Sequence, residues 1–175
     1  MRVPLTVAGL LFAAMTSVAG DPAQDRVGFP AGYPTTFHSI RVANKTGKTL
    51  LGTIYANEKA ASIKDTADLP YPYGSMIVME WAQPLKDGNG ALLVDADGLW
   101  RKGDIVRIDV MRREEGYGAA YGEHRSGEWE FASYRSDGTL LQPAESAVSC
   151  AECHQTASAG RDFVFRGRFP PLQGE

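Results

Sequence analysis

The chain has 175 residues, with 18 Lys and Arg against 21 Asp and Glu and two cysteines. That length holds one domain with a real core and is short for two. A formal net charge of -3 argues against a nucleic-acid partner or an anionic membrane surface.

Residues 1–20, "MRVPLTVAGLLFAAMTSVAG", begin with Arg2, run apolar from Pro4 to Val18 and end in Ser17-Val18-Ala19. This is the pattern of a secretory signal removed after export. The run is shorter than the roughly 20 residues a membrane span needs, and no other segment is apolar enough to span. The expectation is an exported single domain over 21–175, not membrane-spanning and periplasmic. Loss of Arg2 makes its charge slightly more negative.

"DPAQDRVGFPAGYPTT" (21–36) is rich in Pro and Gly and reads as an irregular arm, with Phe29 and Tyr33 able to dock on the body. "FHSIRVA" (37–43) and "KTLLGTIYA" (48–56) read as a hairpin turned at "NKTG". "NEKAASIK" (57–64) is a short helix capped by Asn57. After the proline-broken "DLPYPYG", "SMIVMEWA" puts Ile77, Met79 and Trp81 on one strand face and Met76, Val78 and Glu80 on the other. The turns "KDGNG" and "DADG" bracket "ALLVD". "IVRIDVM" (105–111) alternates, with Val106, Ile108 and Val110 opposite Arg107 and Asp109. "RREEGYGAAYGEHRSG" reads as a loop or a poorly regular crossing, and "EWEFASY" (128–134) as a strand with Trp129 and Phe131 on one face. "PAESAVSCAECHQ" has the Ala, Glu and Gln of a helix, and "DFVF" returns as an extended piece. The predicted fold is mainly β (α+β): an antiparallel sheet with a few short helices, the C-terminal one carrying the cysteines.

Cys150-Ala151-Glu152-Cys153-His154 is a C-x-x-C-H signature for c-type haem. Cysteines nearly one helical turn apart can each reach a vinyl group of the porphyrin edge, and the adjoining His154 can turn its imidazole to the iron. An export signal fits, because attachment follows export. A disulfide in this motif would close a tiny loop and restrain little. A zinc site needs four ligands, drawing in His38 or His124 and an acidic residue. A thioredoxin-like dithiol needs a strand-to-helix setting in an α/β domain. A chance structural CxxC is the remaining alternative. The motif's late position, with no Met after it, differs from small electron-transfer cytochromes c, and the strand pattern differs from four-helix cytochromes c-prime.

"FPAGY", "GTIYANEKA", "YGSMIVMEW", "GEWEFASY" and "CAECH" with "DFVF" occur in order over nearly the whole mature chain. In this ordered set the sequence resembles the cytochrome P-460 family, which includes the β-sheet cytochromes c-prime-beta. The resemblance implies one covalent haem c, a homodimer, and His154 as the proximal iron ligand with Cys150 and Cys153 as thioether anchors. In P-460 proper a strand lysine is also joined to the porphyrin; the matching position is Met79, and residues 75–81 contain no lysine. Met79 is then a distal pocket wall, an iron ligand or ordinary sheet core. Glu145 falls near the family's distal carboxylate, a possible base, or serves the helix start. The family's distal arginine falls on Gly52. His38 and His124 are candidate distal ligands or surface histidines; Tyr71, Tyr73 and Trp81 pack on haem or in the sheet.

Two functions follow from that resemblance. One is a periplasmic mono-haem c-type cytochrome binding gases such as nitric oxide or carbon monoxide, or passing electrons to a partner cytochrome. The alternative is a haem oxidoreductase acting on hydroxylamine, nitric oxide or peroxide without the lysine cross-link.

Overall fold

A computed structural model describes residues 25–141 and 146–165. Five strands form one sheet in the order β1-β2-β3-β4-β5, each antiparallel to its neighbour. They are β1 (His38–Lys45), β2 (Leu50–Ala56), β3 (Met76–Pro84), β4 (Lys102–Arg113) and β5 (Trp129–Tyr134). Three short helices accompany them: α1 (Tyr33–Thr36), α2 (Glu58–Ala61) and α3 (Ala147–Gln155). The expected architecture, with the C-x-x-C-H motif on the C-terminal helix, is the observed one.

β1 and β2 pair through a short turn, whereas β2 and β3 are joined by a longer connection that carries α2. The β1–β2 turn ends at Thr49 in the left-handed region, φ 49°. Asn57 caps α2 by accepting a hydrogen bond from the Ala60 amide at 3.0 Å, and its side-chain amide donates to Gly74 O. One asparagine therefore ties the end of β2 to the start of β3.

The central strands bury both faces, which explains their nearly unbroken apolar runs. On one face Ile54, Ile77, Met111, Trp129 and Phe131 pack with Ala147 and Ala151 of α3. The small alanines let the helix approach β5 closely. The other face carries Tyr55, Val78, Ile108, Val110 and Tyr134, covered by Val27 and Tyr33 of the N-terminal arm. That arm docks as expected: Phe29 packs edge-on against Tyr134 at 5.4 Å, and Tyr134 Oη donates to Asp25 at 2.8 Å. Tyr33 Oη donates to Glu80, whose side chain is buried.

Two expectations change. "RREEGYGAAYGEHRSG" is not wholly loop: β4 runs through Arg113, and Ala119–His124 forms 3-10 turns. "DFVF" is not extended, because Asp162 and Phe163 adopt left-handed φ of 47° and 60°. Tertiary hydrogen bonds hold them there: Trp129 Nε1 donates to Asp162 O and the Tyr71 amide to Asp162 Oδ2, each at 2.9 Å.

Candidate functional site

Helix α3 presents its chemistry on one side. Cys150 and His154 are four residues apart and Cys153 three from Cys150, so their side chains neighbour one another over one turn. All three line a cavity of about 340 Å³ between α3 and the sheet. The two cysteines are not joined in a disulfide; Cys150 is half-buried and Cys153 exposed.

The imidazole is oriented by its surroundings. His154 Nδ1 lies 2.8 Å from Phe163 O. A carbonyl only accepts, so Nδ1 carries a proton and Nε2 is the ring nitrogen left to ligate. Phe131 packs on the ring at 4.6 Å and Phe165 edge-on at 5.0 Å. An imidazole anchored through Nδ1 to a carbonyl is the arrangement that metal-ligating histidines use.

The facing wall comes from the sheet. Ile54, Ile77, Met79, Met111 and Phe131 make it largely apolar. Register sets a row across the strands, with Ile54 opposite Met79, Met79 opposite Asp109 and Asp109 opposite Ser133. Asp109 accepts from Ser133 Oγ at 2.6 Å and Trp81 Nε1 at 2.9 Å, and pairs with Arg107 at 3.0 Å. A polar group built from three strands therefore edges an apolar chamber.

These residues fit a covalently attached haem. Two cysteine sulfurs and one imidazole share the chamber with a wide apolar wall, and a porphyrin would bring its own four nitrogens to the iron. A protein-built zinc site fits worse, because among the described residues no three His, Cys, Asp or Glu side chains are placed to hold a metal ion. The dithiol alternative also weakens. Burial, reinforced by the Asp109 carboxylate, pushes the Cys150 thiol up, whereas reactive dithiols depend on a lowered thiol pKa.

The other candidates separate clearly. Met79 lines the chamber, half-buried against the core. Glu145 lies outside the described residues. His38 is exposed and bonded to Glu58 at 2.7 Å, and His124 sits beside Glu123; neither lines the chamber. Tyr71 is core, packed edge-on against Trp129, and Tyr73 is exposed beneath Arg113. Trp81 belongs to the site's rim through Asp109 and packs on Gly52, where a Cβ would meet its ring at 3.0 Å.

Arg107, Asp109 and Ser133 were not singled out from the sequence. The alternation in "IVRIDVM" put both charges on the strand face of Met111, but only the register shows that this is also the face of Met79. The arginine position falls on Gly52, but Arg41 of β1 pairs across from Ile54 and lines a pocket of about 200 Å³ with Ile54, Met79 and Trp81.

No helix among the described residues is long and apolar enough to cross a membrane. No curated protein matches the chain. Comparison with protein families matches residues 30–166 to Cytochrome P460. With sheet, chamber and motif in agreement, the chain belongs to the cytochrome P460 family, whose members bind haem in electron-transfer or gas-binding roles.

Proposed function

We propose that the protein is an exported, periplasmic mono-haem c-type cytochrome that binds small gases such as nitric oxide or carbon monoxide. Residues 1–20 are its signal peptide and 21–175 its single domain, working as a homodimer. The observation that carries this reading is that Cys150, Cys153 and His154 share one chamber with the apolar wall of Ile54, Ile77, Met79 and Met111. When bound, the haem supplies an iron able to take a gas or a single electron. Cys150 and Cys153 anchor it and His154 Nε2 is its proximal ligand. The apolar side chains exclude water, and Met79 shapes the wall opposite the helix. Passing electrons to a partner cytochrome uses the same anchoring.

An alkaline pyridine haemochrome spectrum together with intact mass tests the reading. The expected result is a haem c spectrum and the mass of the processed chain plus one haem. A mass equal to the processed chain alone overturns it. Carbon monoxide titration of the reduced protein then separates an open iron from one capped on both sides.

The second reading, an oxidoreductase for hydroxylamine, nitric oxide or peroxide, is favoured by the polar edge. A proton-transfer group must reach the reacting molecule, and Asp109, held by Ser133, Trp81 and Arg107, lines the chamber. Turnover that falls in Asp109→Asn while gas binding persists supports this reading; wild-type protein without turnover on any of the three overturns it.

A further inference from the structure

The orientation of His154 depends on one backbone carbonyl, Phe163 O. That carbonyl belongs to an unusual segment, since Asp162 and Phe163 are consecutive non-glycine residues in the left-handed region, φ 47° and 60°. A bulky residue rarely adopts that conformation, and it persists where the surroundings over-determine it.

The surroundings here do so from three directions. Trp129 Nε1 of β5 donates to Asp162 O at 2.9 Å. The Tyr71 amide donates to Asp162 Oδ2 at 2.9 Å, and Arg113 Nε of β4 lies 3.4 Å from the same oxygen. Phe163 N donates to Ser158 O at 2.9 Å, closing the segment on itself. Arg113 is nearly buried; it donates to Tyr71 O and pairs with Glu128 at 3.2 Å. The Phe163 ring lies directly on Gly127, where an added Cβ would come within 2.9 Å of it.

We propose that Arg113 and Asp162 are a positioning pair for His154. They fix the Phe163 carbonyl and, through it, the tautomer and rotation of the imidazole. Neither touches the ring. Their effect passes through the backbone between Asp162 and Phe163, which Trp129 clamps from the sheet. A carbonyl accepting from Nδ1–H also makes Nε2 a stronger donor to a metal, so the pair sets ligand strength as well as aim. The inference rests on His154 being the proximal haem ligand.

The test uses the purified full chain with Asp162→Asn, Arg113→Gln and Trp129→Phe, with Arg113→Lys as the conservative variant. Asn tolerates the left-handed region, so Asp162→Asn removes charge without opposing the backbone. Ile108→Val, on the opposite face of the sheet, is the control for general loss of stability. Two signals are read: the ring ¹⁵N shifts of His154 in the carbon-monoxide-bound ferrous protein, and the iron–histidine stretching frequency of the ferrous protein by resonance Raman.

Asp162→Asn, Arg113→Gln and Trp129→Phe should weaken the Nδ1–H bond to Phe163 O, shifting the Nδ1 signal and lowering the stretching frequency; in the haem-free chain they should mix the two ring tautomers. Arg113→Lys should stay near wild type, and Ile108→Val should leave both signals in place. Unchanged signals in Asp162→Asn and Trp129→Phe overturn the proposal, whether or not Arg113→Gln folds. If the wild-type chain carries no haem, the ligand reading fails. The ¹⁵N shifts of the haem-free chain still decide whether the pair fixes the tautomer.

Discussion

Met79 of β3 lies directly across from Asp109 of β4, and both face the chamber lined by Cys150, Cys153 and His154. A soft thioether and a carboxylate thus stand side by side opposite the helix. The carboxylate is engaged by Trp81, Ser133 and Arg107, while the thioether packs against the apolar core. We therefore expect Met79 to act as wall rather than ligand. Met79→Ala should leave the iron's coordination number unchanged by optical spectroscopy and alter carbon monoxide affinity by less than about tenfold, or about 1.4 kcal/mol. A change from six- to five-coordinate spectra would make Met79 a ligand.

The two thiols should differ in a chain produced without haem attachment. Cys150 is the less exposed, and burial followed by the Asp109 carboxylate raises its pKa. Alkylation with iodoacetamide near neutral pH, followed by peptide mass, should modify Cys153 well before Cys150. Asp109→Asn should narrow the gap without closing it, because burial is the larger cause.

Gly127 has φ 63°, and a Cβ there would crowd the Phe163 ring at 2.9 Å. Gly127→Ala should therefore cost about 1–3 kcal/mol, the usual cost of strain in this region. Urea unfolding measures that loss. The same variant should shift the His154 ring signals, since the displaced residue carries the accepting carbonyl.

Buried tyrosines predict a loss of stability in alkali. Burial raises Tyr121 to about 12 from its ordinary 10.0. Burial also raises Tyr33 and Tyr134, helped by their bonds to Glu80 and Asp25. In each case the folded state holds its proton to higher pH than the unfolded chain. The associated stability is complete below about pH 10 and declines as pH rises through 12. Urea midpoints at pH 9 and pH 11.5 check this; Tyr121→Phe should flatten part of the decline.

The sheet was legible because its local signals agree: hairpin turns at "NKTG", the Asn57 cap, and clear alternation in "SMIVMEWA" and "IVRIDVM". Cys150, Cys153 and His154 could be read together as a candidate site because a haem-attachment motif is contiguous in sequence. "DFVF" misled because Phe163, Val164 and Phe165 have high strand propensity, while Asp162 and Phe163 are held left-handed by Trp129, Tyr71 and Arg113, all remote in sequence. Asp109 and Arg107 escaped notice because alternation tells which residues share a face without telling what that face covers.

By itself the sequence determined the succession of strands and helices along the chain, the helix that carries "CAECH", and the family the chain resembles. These are local properties, set by turn chemistry, side-chain period and the reach of adjacent residues. Only the tertiary structure decided what stands across from His154 and what holds the ring in place. The Met79–Asp109 pair depends on the register of β3 against β4, and the Phe163 carbonyl on a fold-back pinned by β4 and β5. Both rest on contacts between distant segments, whose geometry exists only once the sheet has formed and α3 has packed on it.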